Sequence, residues 1–208
     1  TLTESVEIPV GTSLYIEPGV TITCKSDVQV PIEIVVLGNL YCMGTTEHPV
    51  TFTSDTKKTE DWGGIICGYN SQEVVLNHVD LAYAGATPTE SSASFQNHLF
   101  KSTIDGGVPA FHFCNVNGKF VMANCFLHDN YNDQTYFTGG QGVIYNCIFA
   151  DNGNATDGGE AINVKAGCKL DIANNIIYNA CTNAFKLSNS GNSELIPLTQ
   201  LTAYNNTI

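Results

Sequence analysis

The chain has 208 residues, of which 43% are hydrophobic and 13% are charged. This length and apolar content suit one domain with its own core and exclude a disordered chain. Every basic residue is lysine, and 8 Lys against 20 Asp and Glu give a net charge of −12. Since such a chain would repel phosphate backbones, we expect no nucleic-acid partner. No run of 18 apolar residues is present, so we also expect no transmembrane segment.

The N-terminal third consists of short apolar strands separated by Gly and Pro turns. Its segments read GTSLYIEPGVTI at 11–22, IVVLGNLYCMGT at 34–45, HPVTFTS at 48–54 and DWGGI at 61–65. Over residues 8–85 they resemble the opening coils of right-handed parallel β-helix proteins that Bacteroidetes-type bacteria secrete or display on their surface. Cys42 stands where that family often has Ala. The resemblance implies a β-helix in a secreted or cell-surface protein, such as an outward-facing outer-membrane lipoprotein.

Residues 86–108 interrupt this pattern. The segment is rich in Ser and Thr and contains Pro88, Gly106 and Gly107. Such a stretch is typical of an inserted loop. It either shapes a binding surface or is a simple surface excursion.

The C-terminal half repeats itself. Asn followed by a short apolar strand begins at Asn124, Asn146, Asn174 and Asn205, and Asn77 begins an earlier copy. A second set of short strands precedes these at 110–113, 135–138, 161–164 and 184–187. Strands this short, at a period of 20 to 30 residues, bury an apolar face only by stacking on their neighbours.

The repeats predict a single parallel β-helix domain over 1–208, with roughly seven coils and the insertion at 86–108. Equivalent residues would then lie about 4.8 Å apart in ladders. Asn at one corner of several coils could satisfy the backbone groups of each tight turn. Turn-forming Asn in a β-sandwich is the alternative, but it would not place Asn four times before an apolar pair. The chain ends at Ile208, where a strand should begin, so we expect a fragment or a covered end.

The eight cysteines leave two possibilities open. No C-x-x-C spacing occurs, which argues against zinc ribbons and thioredoxin-like motifs. Cys24, Cys42 and Cys67 occupy the alternating positions of their segments that hold apolar residues. This placement is typical of buried free thiols. Disulfides are equally compatible with the count.

The first strand of the later coils gives the best candidate binding surface. Alternation would turn four side chains inward: Phe111, Tyr136, Ile162 and Phe185. It would place a second set in one outward row: His112, Phe137, Asn163 and Lys186. Together with Lys165, an aromatic beside amide and cationic groups suits a sugar or peptide ligand. An ordinary polar solenoid face is the alternative.

Catalytic motifs are weak. Parallel β-helices include pectate lyases and polygalacturonases, so a carbohydrate-active enzyme is one hypothesis. A lyase needs an Arg or Lys base, and only Lys165 and Lys186 qualify. A hydrolase needs Asp residues converging on one ladder. No N-x-D, D-D or G-H-G cluster is present.

Metal binding is not predicted, with one open point. Asp151, Asp157 and Glu160 lie in an acidic, turn-rich segment and could supply oxygen ligands to calcium, although the spacing fits no EF-hand. A solvated turn is the alternative. His78, Cys125 and Cys147 are candidates for one outward ladder position, but they lack a fourth partner.

We therefore expect a non-catalytic cell-surface or secreted β-helix protein. It would present a rigid, acidic surface to a polysaccharide, or act as an accessory subunit of a surface complex. A polysaccharide lyase or glycoside hydrolase acting along the β-helix is the alternative, with Lys165 or Lys186 as base or binding group.

Overall fold

A computed structural model of the chain describes residues 1–96, 108–153, 158–165, 167–188 and 198–208. These residues form twenty short strands and one helical turn. The first three coils hold β1 (Val6–Ile8), β2 (Ser13–Ile16), β3 (Thr21–Cys24), β4 (Glu33–Val36), β5 (Asn39–Met43), β6 (Val50–Ser54), β7 (Gly64–Cys67), β8 (Glu73–Asn77) and β9 (Val79–Ala82). After α1 (Ala93–Gln96) come β10 (Phe111–Phe113), β11 (Lys119–Ala123), β12 (Phe126–His128), β13 (Thr135–Phe137), β14 (Gly140–Tyr145), β15 (Ile148–Ala150), β16 (Ile162–Val164), β17 (Cys168–Ala173), β18 (Ile176–Tyr178), β19 (Phe185–Leu187) and β20 (Gln200–Tyr204).

The strands stack into three parallel sheets. Sheet 1 takes the first strand of every coil, sheet 2 the second and sheet 3 the third. Within each sheet a strand pairs in parallel with its equivalents on the coils before and after it. The seventh coil holds β19 and β20, and Thr207 bridges back to Ile176 on sheet 3. The fold is the predicted right-handed parallel β-helix of seven coils.

Alternation along each strand builds the core. In β6, for example, Val50 and Phe52 are fully buried, while Thr51 between them is partly exposed. Trp62 packs beside Phe52 with ring centroids 6.4 Å apart, and its Nε1 donates to the Ala82 carbonyl at 2.8 Å. Each large apolar side chain buried in this way contributes about 1.5–3 kcal/mol. The core therefore runs along the inside of the coils.

The predicted Asn ladder is confirmed at the turn between sheets 2 and 3. Asn124, Asn146 and Asn174 adopt left-handed φ angles of 54–58°, which Asn tolerates better than most residues. Asn146 Nδ2 lies 3.5 Å from Asn124 Oδ1, and Asn124 Nδ2 donates to Asn77 Oδ1 at 3.0 Å. Asn77 itself is the last residue of β8, in register with Ala123. On the third coil the ladder position therefore lies one residue after Asn77, at which the sequence pattern placed the start of the earliest copy.

His78 takes the ladder position on the third coil, with φ of 50°. The expectation that His78 shares an outward position with Cys125 and Cys147 is wrong. Both cysteines follow the ladder residue of their coil and point into the core, where they are at most 2% exposed. On the next coil Asn175 occupies the same inward position, and its Oδ1 accepts from the Cys147 N–H at 2.8 Å.

All eight cysteines lie within the described residues, and none of them forms a disulfide. Seven are buried and Cys181 is exposed. Burial raises the pKa of Cys24, Cys42 and Cys114 to about 12. These thiols act as small apolar side chains of the core.

The insertion packs on the outer face of sheet 1. Ala93 of α1 contacts a small apolar cluster formed by Val35, Ile66 and Val108, all fully buried. The Glu33 carboxylate accepts from the Ser94 N–H at 2.7 Å and from its hydroxyl at 2.6 Å. Residues 97–107 of the predicted insertion lie outside the described residues. The described residues contain no helix long and apolar enough to cross a membrane.

Candidate ligand-binding site on sheet 1

A row of four aligned side chains lies on sheet 1 beyond the insertion. Strand register places His112 beside Tyr136, Tyr136 beside Asn163, and Asn163 beside Lys186. We call these four residues the sheet 1 row. On the two preceding coils the same row holds Val35 and Ile66, which the insertion covers. The insertion therefore sets one end of the site.

The structure corrects one member of the predicted row. Phe137 is fully buried in the core, where its ring stacks on Phe120 at 4.5 Å. Tyr136, expected to point inward, occupies the outward row. The reason is that Thr135 aligns with Phe111 and Phe137 with Phe113, both of which point into the core. His112, Asn163 and Lys186 lie in the row as predicted.

The row is chemically mixed. His112 is buried, its Nε2 lies 3.2 Å from Thr138 Oγ1, and its ring meets Tyr136 edge-on at 5.4 Å. Burial lowers the pKa of His112 to about 4, so the imidazole is neutral at pH 7. Burial raises the pKa of Tyr136 to about 12. Lys165 follows β16 and its Nζ lies 5.5 Å from the Tyr136 ring centroid. A partly exposed phenol and two ammonium groups therefore form the accessible part of the site.

Two acidic residues lie directly beneath the row. Asp133 and Glu160 each stand two residues before their sheet 1 strand, on neighbouring coils, and they are 3% and 1% exposed. Asp133 Oδ1 accepts from the Gly159 and Glu160 N–H groups, both at 2.9 Å. Asp133 Oδ2 accepts from Asn163 Nδ2 at 2.8 Å. Lys186 Nζ donates to Glu160 Oε1 at 2.6 Å. The carboxyl pair thus holds two members of the row.

The pKa values of Asp133 and Glu160 are shifted in opposite directions. Burial raises the pKa of Asp133, and the hydrogen bond to Glu160 with the charge beside it raises it further. Burial by itself would also raise the pKa of Glu160, but the hydrogen bonds from Asp133 and Lys186 outweigh it and lower that pKa. Two adjacent buried carboxyl groups cannot both ionise cheaply. The pKa of Asp133 therefore lies above that of Glu160, so Asp133 is the first of the two to bind a proton as the pH falls.

Sequence reasoning missed Asp133, Tyr136 and the acidic ladder. Asp133, Glu160 and the amide of Asn183 stand at the same position, two residues before the sheet 1 strand, on three successive coils. Asn183 Nδ2 lies 3.4 Å from Glu160 Oε1, which confirms their stacking. A polar residue one or two positions before three of the predicted strands, at 135–138, 161–164 and 184–187, was the available signal.

The calcium candidates are engaged in different contacts. Asp151 adopts a left-handed turn conformation, and its Oδ1 accepts from Asn179 Nδ2 at 2.8 Å. Glu160 is paired with Lys186, and Asp157 lies outside the described residues. Among the parts of the chain that the structure describes, no group of three His, Cys, Asp or Glu residues could hold a metal ion. Calcium binding stays a prediction.

Comparison with known proteins supports the architecture. A family model described as a pectate-lyase-like β-helix domain matches residues 1–97. This match covers the first three coils and α1. No curated protein and no solved structure matches the chain. Taken with the three parallel sheets, the match identifies the chain as a parallel β-helix repeat protein.

Proposed function

We propose that this chain is a non-catalytic, secreted or cell-surface β-helix protein whose sheet 1 row binds an extended carbohydrate. One observation carries the proposal, namely the in-register alignment of His112, Tyr136, Asn163 and Lys186 on four successive coils. Equivalent side chains repeat about every 4.8 Å along such a row. A polymer lying along the coils would therefore meet the phenol of Tyr136 and the ammonium groups of Lys165 and Lys186, while His112 and Asn163 are buried beside them.

The site is fixed before any ligand arrives. Asn163 is held by Asp133, Lys186 by Glu160, and the Tyr136 ring lies between His112 and Lys165. Because these side chains are already ordered, binding costs little conformational entropy.

The carboxyl pair favours a second candidate function, a glycoside hydrolase or polysaccharide lyase. A protonated Asp133 beside an ionised Glu160 is the kind of pair that supplies a general acid. Both groups are at most 3% exposed, however, and three of their four oxygens accept hydrogen bonds from backbone N–H groups, Asn163 and Lys186. A role in positioning the row therefore suits them better than contact with substrate.

The test compares binding of acidic and neutral polysaccharides to wild-type protein and to variants of the row. Tyr136→Ala, Lys165→Ala and Lys186→Ala are each expected to weaken binding at least tenfold, about 1.4 kcal/mol. Lys169→Ala is the matched control, because Lys169 is an exposed lysine of β17 on sheet 2. Absence of binding to any polysaccharide, or an equal loss in the control, would overturn the proposal.

Product formation separates the two candidate functions. The same mixtures are followed for new reducing ends and for the absorbance of unsaturated uronates. Binding without products supports the non-catalytic protein. Turnover that Lys186→Ala or Asp133→Asn abolishes would replace it with the enzyme.

A further inference from the structure

A concave site lies at the turn between sheets 2 and 3, away from the sheet 1 row. One wall is the exposed loop that carries Thr45, Thr46 and Pro49 on the second coil. The opposite wall is Phe126 on the fourth coil, and His78 and Asp80 of the third coil lie between them. We call this feature the step groove, and its volume is about 250 Å³.

The step groove arises from a change in turn length. On the second coil residues 44–49 connect β5 to β6, whereas on the third coil His78 alone connects β8 to β9. The longer loop therefore stands out from the surface and forms a step. Its base is fixed, because Gly44 N donates to the Asn77 carbonyl at 2.9 Å and Val50 N to the His78 carbonyl at 3.0 Å. A Cβ at Gly44 would come within 2.3 Å of the His78 carbonyl oxygen, so only glycine permits this approach.

The polar groups of the step groove are oriented. Asp80 Oδ1 lies 3.0 Å from His128 Nε2, and the Asp80 side chain is 38% exposed to solvent. Thr45 Oγ1 accepts from the His48 N–H at 3.1 Å, which leaves the hydroxyl proton free to donate. The groove therefore offers both an acceptor and a donor in fixed positions.

The apolar groups are equally ordered. Phe126 lies in register with Asp80 on the outer face of sheet 3, and its ring stacks on the His128 ring at 4.1 Å. Pro49 faces it from the loop. Two apolar walls with hydroxyl and carboxylate groups between them complement a sugar ring, which has apolar C–H faces and a polar rim of hydroxyl groups.

We propose that the step groove binds a single pyranose ring. The ring packs its C–H face against Phe126, and its hydroxyl groups donate to Asp80 and accept from Thr45. The volume suits one ring rather than an oligosaccharide, in contrast to the extended sheet 1 row. This site is independent of the proposed function, since the two share no residue.

The test is an amide NMR titration of the ¹⁵N-labelled protein with methyl glycosides of glucose, galactose and mannose, and separately with n-butylammonium. At least one methyl glycoside is expected to shift the amide signals of Thr46, Asp80 and Phe126 in a saturable way. Thr46→Trp fills the groove from an exposed wall without touching the core, and Asp80→Asn removes the charge. Each is expected to weaken binding at least tenfold. Ile148→Ala is the matched control, because Ile148 follows Phe126 in the same outward row.

The outcomes distinguish this site from the sheet 1 row. Tyr136→Ala and Lys186→Ala should leave the titration unchanged, and Thr46→Trp should leave polysaccharide binding unchanged. Shifts with n-butylammonium alone would make the groove a cation site and overturn the proposal. Absence of shifts with every glycoside would overturn it as well.

Discussion

Asp133 and Glu160 differ in proton affinity although both are buried. Because the pKa of Asp133 is raised, an amide at that position reproduces the hydrogen-bonding pattern of its neutral carboxyl group. The Asn would accept the two backbone N–H groups and donate to Glu160, and rotation of the Asn163 amide would restore the remaining bond. Glu160 is the ionised partner of Lys186, so its charge cannot be replaced in the same way.

We therefore expect Asp133→Asn to change the free energy of unfolding by less than about 1 kcal/mol, and Glu160→Gln to lower it by about 1–3 kcal/mol. Urea denaturation at pH 7 measures both. A larger loss for Asp133→Asn than for Glu160→Gln would contradict this order of the two pKa values.

His128 gives the fold a pH dependence. Burial lowers its pKa, but the hydrogen bonds to Asp80 and Asp129 and the charges of these carboxylates outweigh burial and raise it. A raised pKa means that the folded protein binds the proton more tightly than the unfolded chain. The resulting stabilisation is complete below the unfolded pKa of about 6.5 and is lost as the pH rises through the folded pKa.

The expected contribution is below about 1 kcal/mol, because the aspartates are partly exposed. Wild-type protein and His128→Gln are compared by urea denaturation between pH 6 and pH 9. The difference between them should be larger at pH 6 than at pH 9. His48→Gln, at an exposed position on the second coil, is the control, and a difference independent of pH would contradict the mechanism.

At the level of elements, the two-residue turns that begin with Asn between sheets 2 and 3 depend on this residue for two reasons. Asn146 tolerates the left-handed φ of 54°, and its amide reaches the next Asn of the ladder. Ala would lose the ladder bond and add strain of about 1–2 kcal/mol, whereas Gly would lose the bond without the strain.

We expect Asn146→Ala to destabilise the protein by about 1.5–3 kcal/mol and Asn146→Gly by less. Thermal or urea unfolding measures the difference. Asn117→Ala, at an exposed position outside the ladder, should have little effect. Equal losses for Ala and Gly would mean that the left-handed conformation is not the cause.

The strands and their stacking could be predicted from the sequence because each Asn turn has a fixed length and is followed by an apolar strand. The register of β13 could not be predicted, because Tyr136 and Phe137 are adjacent aromatic residues and either of them could face the core. The contact between Asp133 and Glu160 could not be predicted either, although each residue stands just before a predicted strand. These residues are 27 positions apart, and only the lengths of the intervening turns decide that they meet on neighbouring coils.

For the whole molecule, the cysteines can report on global unfolding, because most of them lie among the inward-facing side chains of the coils. Seven of the eight thiols are buried and Cys181 is exposed. A buried thiol reacts only when its coil opens, and a high pKa also disfavours the reactive thiolate.

We expect a thiol reagent to label Cys181 rapidly in the native protein. The other seven should react only at the rate of unfolding and completely in 6 M guanidinium. Mass spectrometry of the labelled peptides identifies each site. Cys181→Ser should remove the fast phase, and rapid native labelling of Cys67 or Cys147 would contradict the buried arrangement.

The contact between Ser94 and Glu33 joins segments separated by 61 residues. Synthesis proceeds from the N-terminus, so the second and third coils leave the ribosome before α1. Until then the Glu33 carboxylate lacks its two Ser94 donors, and Val35 and Ile66 face water. A nascent chain that stops before α1 should therefore be prone to associate through this uncovered surface, and the arrival of α1 removes that hazard.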